Sequence, residues 1–401
     1  MVQLRSAVAA LALAAMAFAG PGLAQGLRLG VVTSMTGGLQ EFGPTTLNGI
    51  NVAVEEVNAA GGVLGGKLEI VVGDDQTTPH VGVATAKKLI EVDRVSGIIG
   101  SLSSGVTIPI AQSVTSVAGV PQISTASTSP VITTLKDDDF LFRTVPTDAV
   151  QGVALAQLVR EKKIKDVAIV FVNNDYGKGL AQSFSEAFQK IGGKVTASVA
   201  YEEKQASYRG ELQRAAKGKS GHLLLIAYPQ DGIPILRQSL EGGLFKQFIF
   251  TDGMKSTDML GAIGAKFLEG AFGTAPEAAG EGQERFRKAY EKRFGALPPR
   301  PFIDSAYDAT MIFALAATRA KSSNPREIRD AIRQVANAPG ERIMPGEFAK
   351  AKKLLEAGKD VHYIGAAGPQ DFDKHGDVAG TYAHWEIEKG KIVTRRVFVP
   401  K

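Results

Sequence analysis

Short apolar runs alternate along this chain with longer stretches in which apolar residues recur every three or four positions. The first short run is Leu27 to Val32, and apolar residues then return at Leu47, Ile50, Val54 and Val57. A short continuous run predicts a buried strand, whereas the recurrence predicts a helix with one apolar face. The chain is therefore predicted to begin its fold with a strand followed by a helix.

The same alternation continues in two series. In the first we predict helices at 81–92 and 107–117 and strands at 68–72, 95–99 and 121–124. In the second we predict helices at 151–162, 180–191, 208–216 and 232–240 and strands at 167–172, 195–201, 223–227 and 248–251. Strands that alternate with helices of this length are typical of a mostly parallel sheet with helices on both faces.

Extended segments at 137–148 and 270–276 interrupt the two series. Two long helices are predicted after them, at 283–294 and 305–320, and the alternation around Lys389-Gly390 predicts a final β-hairpin. A chain of 401 residues is also too long for one ordinary domain. We therefore predict an α/β fold of two lobes, joined like a clamshell by segments that pass between them.

The N-terminus has the pattern of an export signal. Arg5 precedes an apolar run over residues 7–19, and the small residues Gly22 and Ala24 suit cleavage before Gln25. The run is too short to span a bilayer. We expect residues 1–24 to be a cleavable signal peptide and the mature chain to reach a bacterial periplasm.

Composition narrows the chemistry further. The sequence contains no cysteine, which excludes disulfides, cysteine metal ligands, a cysteine nucleophile and lipid attachment to an N-terminal cysteine. Its net charge of +5 arises from 46 basic and 41 acidic residues without a polybasic block. Neither nucleic acid nor an anionic membrane is therefore needed as a partner.

The stretch from Gly97 to Pro109 is the first candidate for a binding site. It is predicted to run from a buried strand through a Ser/Gly turn into the first turn of a helix, where Pro109 suits a helix start. The unpaired amides of such a turn, with the hydroxyls of Ser103 and Ser104, could hold a carboxylate. The alternative is that both serines only cap the helix.

Several enzyme motifs are absent or misplaced. Residues 61–67 match G-x-x-x-x-G-K, but Leu68 replaces the magnesium-binding Ser/Thr and the segment runs from a helix into a strand. No G-x-G-x-x-G follows the first strand, no G-x-S-x-G occurs, and the five histidines lack metal-ligand spacing. Asp74-Asp75 could be a metal or acid/base pair, or a solvated strand end. We expect no catalytic residues, no cofactor and no metal; a hydrolase using Ser103 or Ser104 would lack a base.

Polar and aromatic groups follow several predicted strands directly. In the first lobe these are Ser103-Ser104 and residues 126–128; in the second they are Asp175-Tyr176-Gly177, Tyr228 and Thr251-Asp252-Gly253. Ligands of open α/β sheets bind at the carboxyl ends of the strands. Hydroxyls and amides on one lobe suit a carboxylate, and rings with an acid on the other suit an ammonium and an apolar body. Taken singly, each tyrosine could be a core residue and Asp252 a turn residue.

These motifs identify a resemblance to the branched-chain amino acid class of ABC transporter substrate-binding proteins, which includes the leucine/isoleucine/valine binders. The resemblance covers essentially the whole mature chain. The pieces that carry it are residues 34–37, 55–62, 73–75, 98–100, 142–144, 175–179, 306–309 and 365–377. It implies the type I periplasmic binding fold: two Rossmann-like lobes joined by a multi-strand hinge, with lobe 1 over 25–145 plus 275–362 and lobe 2 over 146–274 plus 363–401.

The resemblance also implies the ligand contacts. By motif position it assigns Ser104 and Thr128 to the ligand carboxylate, and Ala126 and Asp252 to its ammonium. It assigns Leu102 to the ligand side chain, Tyr176 and Tyr228 to closure from the second lobe, and Asp148 to the site near the first crossing. Phe42 occupies a further site position of the family, and Ser103 is expected at the ligand from its place in the Ser/Gly turn. Two departures concern the ligand's identity. Phe42 stands where the leucine/isoleucine/valine binder has Tyr, and Asp252 stands where it has Glu.

The expected function is a non-catalytic periplasmic receptor. It would close on a small amino acid, branched-chain or otherwise aliphatic, and deliver it to an inner-membrane ABC permease, acting as a monomer without nucleic acid. Two alternatives stay open. The same fold could bind aromatic acids, short amides or urea, or it could serve as a ligand sensor for a signalling partner.

Overall fold

The computed structural model describes residues 26–400, so the predicted signal peptide lies outside the described residues. A five-stranded, all-parallel sheet of order β2-β1-β3-β4-β5 forms the first lobe. The elements of this part of the chain are β1 (Leu27–Thr33), α1 (Gly43–Ala59), β2 (Leu68–Asp74), α2 (Pro79–Glu91), β3 (Ile98–Gly100), α3 (Ser104–Ile110), α4 (Ser116–Ala118), β4 (Gln122–Ser124) and β5 (Leu141–Arg143).

The second lobe contains a seven-stranded sheet of order β15-β14-β10-β9-β8-β6-β7. Its first elements are α5 (Asp148–Glu161), β6 (Asp166–Val172), α6 (Asp175–Lys190), β7 (Lys194–Tyr201), α7 (Arg209–Ala216), β8 (His222–Ile226), α8 (Pro229–Glu241), β9 (Gln247–Phe250), α9 (Thr257–Ile263) and β10 (Phe272–Pro276). Strands β6 to β10 are parallel, and the final hairpin joins β10 antiparallel.

The chain then returns to the first lobe before it ends in the second. The returning elements are α10 (Glu281–Phe294), α11 (Ile303–Ala320), α12 (Pro325–Ala336), β11 (Glu341–Ile343), α13 (Phe348–Glu356), β12 (Val361–Gly365) and β13 (Gly368–Pro369). The hairpin is β14 (Tyr382–Glu388) and β15 (Lys391–Phe398). The predicted fold class, two α/β lobes with mostly parallel sheets, is confirmed.

Strand β1 shows why helices cover both faces of the first sheet. Leu27, Leu29 and Val31 point into the apolar cluster formed with α1 and α11. Val32 points into a second cluster, formed with α2 and α3 on the opposite face. Because side chains alternate along a strand, a nearly continuous apolar run fits a sheet that is buried on both sides.

The expected lobe boundary between residues 362 and 363 is wrong. It falls inside β12, and Tyr363, Phe372 and Val378 pack in the apolar cluster of the first lobe. The strand pair β11–β12, which the apolar pattern did not reveal, holds this segment in the first lobe. The chain therefore enters the second lobe only after Val378.

Two helices near the cleft begin earlier than predicted. Helix α3 begins at Ser104 rather than Thr107, so Pro109 lies inside it. Proline has no N–H to donate, and the helix continues as a π-turn over Ala111–Thr115. Helix α6 begins at Asp175 rather than Leu180, because the Asn174 side chain accepts a hydrogen bond from the Gly177 N–H and caps it.

A buried ion pair fixes two of the segments that pass between the lobes. Arg143, at the end of β5, has no exposed surface and bonds both carboxylate oxygens of Asp377, with Nε to Oδ1 at 2.6 Å and Nη2 to Oδ2 at 2.8 Å. The segment after Arg143 is the first crossing, and the segment after Asp377 is the third. A two-pronged bond of this kind sets both position and orientation.

The core of the second lobe contains the sequence's single tryptophan, Trp385. It lies on β14, is fully buried and stacks on Phe250 of β9 with ring centroids 5.9 Å apart. Several side chains from the first lobe pack into the same apolar cluster, namely Leu39, Phe42, Leu102, Ala126 and Phe302. The two lobes are therefore closed against each other in this structure.

Candidate functional site

A small cavity lies between the lobes, at the carboxyl ends of their strands. Both lobes contribute to its wall, which is formed by Leu39, Phe42, Leu102, Ser104, Ala126, Tyr176, Tyr228, Asp252, Gly253 and Phe302.

The first lobe supplies hydroxyl and main-chain groups. Ser104 opens α3 after the short turn that follows β3, and its hydroxyl accepts a hydrogen bond from the Ser129 N–H at 3.2 Å. The hydroxyl proton of Ser104 thus stays available for an acceptor in the cavity. Ser103 occupies the cap position, but its side chain makes no capping bond. The interpretation of Ser103 as a simple helix cap is therefore wrong.

A buried polar network supports this turn from below. Asp75 accepts hydrogen bonds from the hydroxyls of Ser34, at 2.7 Å, and Ser101. Thr107 and Ser127 are bonded through their hydroxyls at 2.7 Å, which joins the turn after β3 to the turn after β4. Asp75 thus has a structural role in place of the metal or acid/base role considered from the sequence.

The second lobe supplies two stacked tyrosines. The rings of Tyr176 and Tyr228 are nearly parallel, with centroids 5.5 Å apart. The Tyr176 hydroxyl lies 2.7 Å from the hydroxyl of Thr251 and 3.2 Å from Asp252 Oδ1. The Tyr228 hydroxyl lies 3.1 Å from the Ser103 hydroxyl, so this bond crosses the cleft.

Asp252 is the acid that faces the cavity. Only 3% of its surface is exposed, and its Oδ1 accepts a hydrogen bond of 2.7 Å from the Gln151 side-chain amide. Burial raises the pKa of its carboxyl to about 6, although the bonds from Gln151 and Tyr176 oppose the shift. No cation bonds this carboxyl within residues 26–400, so a ligand cation would find it unpaired.

Asp148 and Thr128 form a second buried polar pair. The Thr128 hydroxyl donates to Asp148 Oδ2 at 2.9 Å, and the Asp148 N–H donates to the Thr128 carbonyl at 2.8 Å. Burial, reinforced by the charge of Asp252, raises the pKa of Asp148 well above its ordinary value. The negative charge of one carboxyl disfavours ionisation of the other, so the second proton of such a pair is lost only at a raised pH.

The structure brings most of the expected residues to one cavity. Those that line it are Phe42, Leu102, Ser104, Ala126, Tyr176, Tyr228 and Asp252. Ser103, Thr128 and Asp148 are buried nearby but do not line it. The two expected halves, hydroxyls on one lobe and rings with an acid on the other, do face each other.

Two cavity residues, Leu39 and Phe302, were missed. Gly253, which the sequence analysis named with Asp252 at a strand end without giving it a ligand contact, also lines the cavity. Leu39 lies in a glycine-containing loop after β1, and Phe302 precedes α11, far from every strand end in the first series. Phe302 packs against Phe42, with ring centroids 6.5 Å apart, and no local pattern in the sequence indicates that contact.

The described part of the chain contains neither a cluster of metal-binding side chains nor a membrane-spanning helix. No group of three or more His, Asp or Glu side chains within residues 26–400 is arranged to hold a metal ion. The same part of the chain contains no helix with the length and hydropathy needed to cross a bilayer.

Known proteins match this chain over most of its length. The family model described as periplasmic binding protein matches residues 26–391. A Leu/Ile/Val-binding protein homolog 1 from Brucella melitensis is 31% identical over 332 residues, which span 80% of this chain and 85% of the relative. A leucine-, isoleucine-, valine-, threonine- and alanine-binding protein from Pseudomonas aeruginosa is 28% identical over 312 residues, 77% of this chain and 82% of the relative.

Solved structures share the fold. A leucine-binding protein LivK from Thermotoga maritima superposes with a TM-score of 0.80 at 24% identity, covering 93% of this chain and 99% of its own. An R. palustris solute-binding protein in complex with benzoate superposes with a TM-score of 0.77 at 16% identity. The match covers 94% of this chain and 97% of the R. palustris chain. With two closed α/β lobes around a small cavity, and the family match over nearly all described residues, this chain belongs to the periplasmic binding protein family.

Proposed function

We propose that this protein is the substrate-binding component of an ABC transporter, which captures a small aliphatic amino acid between its lobes and delivers it to an inner-membrane permease. The observation that carries the proposal is the Asp252 carboxyl, buried at the cavity without a cationic partner among residues 26–400, in a wall to which the other lobe contributes Ser104. A buried acid of this kind is stabilised by an ammonium, and a hydroxyl on the opposite wall suits a carboxylate.

The polar roles follow from these positions. The ligand ammonium lies between the Asp252 carboxylate and the carbonyl of Ala126. The ligand carboxylate accepts a hydrogen bond from the Ser104 hydroxyl. Thr128 was expected to bind the same carboxylate, but its hydroxyl donates to Asp148. We therefore assign Thr128 a supporting role, in which it orients Asp148.

The remaining wall fits an aliphatic side chain. Leu39, Phe42, Leu102 and Phe302 are buried and apolar. Phe42 and Phe302 add no hydroxyl that a ligand side chain would have to satisfy. The Pseudomonas relative, whose name states that it binds leucine, isoleucine, valine, threonine and alanine, supports the same ligand class, as does the Brucella relative, which is named a homolog of Leu/Ile/Val-binding proteins.

Aromatic acids are the main alternative ligands, because the R. palustris protein binds benzoate on the same fold. A benzoate would leave the Asp252 carboxyl without a cation, which disfavours it here. Short amides and urea lack a carboxylate for Ser104. A sensing role uses the same ligand-capture step, and a chemotactic signal transduction substrate-binding protein from Halobacterium salinarum is 26% identical over 355 residues.

The arrangement of the serines supports a non-catalytic role. Ser103 is bonded to the Tyr228 hydroxyl and Ser104 to a main-chain N–H. Neither has a histidine or carboxylate as its bonded partner, so neither has a base to activate it as a nucleophile. Ligand capture without chemistry is the activity that this cavity suits. We place that activity in the periplasm, where the predicted signal peptide would deliver the monomer.

A panel of ligands tests the proposal. The mature protein is screened by thermal shift against aliphatic amino acids, benzoate, short amides and urea, since a ligand that binds only the folded state raises the melting temperature. We expect leucine, isoleucine or valine to give the largest shift, confirmed by calorimetry. A response to benzoate and to no amino acid would overturn the ligand class.

A further inference from the structure

A charged contact joins the two lobes beside the cavity without lining it. Glu41 lies in the loop between β1 and α1 of the first lobe. Its Oε1 accepts hydrogen bonds from the main-chain N–H groups of Thr257, at 3.0 Å, and Asp258, at 3.3 Å, both in the second lobe. The Ser256 hydroxyl donates to its other oxygen. One carboxylate thus binds three consecutive residues of the opposite lobe.

Arg300 completes the contact from the first lobe. Its Nε donates to Glu41 Oε1 at 2.8 Å, and its Nη2 donates to the Thr257 hydroxyl at 2.7 Å. The same Nη2 lies 3.4 Å from Asp258 Oδ1. The side chains of Glu41 and Arg300 are only 4% and 15% exposed. We refer to Glu41 and Arg300 with Ser256, Thr257 and Asp258 as the Glu41 latch.

The Glu41 latch exists only when the lobes are closed. Separation of the lobes would break every bond from Glu41 and Arg300 to Ser256, Thr257 and Asp258, leaving the Glu41–Arg300 pair within the first lobe. Hydrogen bonds to a charged, largely buried group are stronger than those between neutral groups. The latch therefore favours the closed state independently of any ligand.

The position of Glu41 also connects the latch to the cavity. Leu39 and Phe42, its near neighbours in the same loop, both line the cavity. When Glu41 is bound to the second lobe, the backbone between these two side chains is fixed. The loop then presents its apolar residues to the ligand in one arrangement. Such preorganisation raises the affinity, because less conformational freedom is lost when the ligand binds.

We propose that Glu41 is a positioning residue for ligand capture: through the latch it holds the lobes closed and keeps Leu39 and Phe42 against the bound molecule. The inference rests on the proposed function as a ligand-capturing receptor. A ligand that bridges the lobes and the latch act on the same open–closed equilibrium, so loss of the latch lowers the apparent affinity.

The separation of the lobes can be measured with labels attached to two introduced cysteines, because the sequence contains no native cysteine that would also react. Spin labels are attached after His80→Cys on the first lobe and Ala206→Cys on the second, both at exposed positions. Pulsed electron paramagnetic resonance then gives the distribution of inter-lobe distances, without ligand and with sub-saturating L-leucine. We expect Glu41→Ala and Glu41→Gln to lower the closed fraction, the alanine variant more strongly.

Ligand kinetics provide a second readout. Stopped-flow measurement of L-leucine should show dissociation from Glu41→Ala faster by about tenfold or more, since bonds to a charged group are lost from the closed state only. The association rate should change much less, because the latch is broken in the open state that admits the ligand. A structural defect that merely reduced the amount of folded protein would leave the dissociation rate unchanged.

Glu55→Ala is the matched control. Glu55 also pairs with an arginine at 2.7 Å, but its partner Arg293 lies in the same lobe and both side chains are half exposed. The closed fraction of the Glu55→Ala variant and its rate of L-leucine dissociation should match those of the wild type. Thr257→Val, which removes a latch hydroxyl from the second lobe, should shift both quantities in the direction of Glu41→Gln, and it covers the case in which Glu41→Ala does not fold.

The outcomes distinguish a failure of the latch proposal from a failure of the proposed function. If the wild type binds no leucine, the ligand assignment fails, and the ligand-free distances still judge the latch. If Glu41→Gln and Thr257→Val keep the wild-type closed fraction, the latch proposal is overturned even though leucine binds. A wild type with no closed component under either condition would overturn it as well.

Discussion

Replacement of Asp252 by Asn tests the assigned charge pair most directly. The substitution keeps the shape of the side chain and its contact with Gln151, and it removes the negative charge. Asp252 is almost fully buried, and the bonds to its Oδ1 come from the neutral groups of Gln151 and Tyr176. The ammonium of a bound amino acid would therefore lose the one charged side chain that lines the cavity in the described part of the chain.

The magnitude follows from the burial. Truncating one partner of a buried, hydrogen-bonded charge pair costs about 2–5 kcal/mol of binding free energy, largely because the other charge stays buried and unpaired. That cost corresponds to roughly a 30-fold to several-thousand-fold weaker affinity. We expect Asp252→Asn to weaken L-leucine binding within this range.

Calorimetry with two ligands isolates the charge. L-leucine and 4-methylpentanoate share the carboxylate and the aliphatic chain, and only leucine carries an ammonium. The variant should lose affinity for leucine and lose little or none for 4-methylpentanoate. Glu241→Gln serves as the control, because Glu241 is a half-exposed acid on the same lobe that pairs with Arg209 at 2.7 Å.

Two results would refute the reasoning. Unchanged leucine affinity in Asp252→Asn would show that the carboxylate does not meet the ammonium. An equal loss for both ligands would show that the substitution disturbs the cavity and not a charge pair. The melting temperature of the ligand-free variant identifies a folding defect separately.

Three further predictions concern pH, the carboxylate subsite and the hinge. Burial raises the pKa of the Asp252 carboxyl to about 6, so wild-type leucine affinity should stay constant above about pH 7 and decrease as the pH falls through about 6, as measured by calorimetry. Because this folded-state pKa is raised, the group's contribution to ligand-free stability is present at low pH and lost as the pH rises through about 6, which thermal melts can follow. Ser104→Ala should weaken leucine binding by about 1–3 kcal/mol in calorimetry, and more than Thr128→Val does, because only the Ser104 hydroxyl faces the cavity. Arg143→Met should lower the free energy of unfolding by about 3–5 kcal/mol in denaturant titration, since it leaves Asp377 at the hinge without its bidentate partner; a loss below about 1 kcal/mol would contradict that role.

The parts of the fold that follow local patterns were predictable. The apolar run from Leu27 and the helical recurrence from Leu47 to Val57 gave a strand and a helix because periodicity reflects burial on one or both faces. The start of α6 was missed because the capping bond of Asn174 outweighs the glycines at 177 and 179. The third lobe crossing was misplaced because the pairing of β11 with β12 is long-range and leaves no periodic signal.

The residues of the candidate site were likewise only partly predictable from the sequence. Ser104, Ala126, Tyr228 and Asp252 could be anticipated because each lies two to four residues past the end of a strand, and strand ends of parallel sheets converge. Phe302 could not, because its place in the cavity depends on the packing of the loop before α11 against Phe42. The Thr128–Asp148 bond was also out of reach, since it joins two lobes.

Trp385 determines which optical signals this protein offers. Its indole is stacked on Phe250 inside the second lobe and does not line the cavity. Tryptophan emission from this single indole should report global unfolding sensitively and change little when a ligand enters or leaves. The phenol rings of Tyr176 and Tyr228, which form part of that wall, should instead show the ligand in ultraviolet difference absorption.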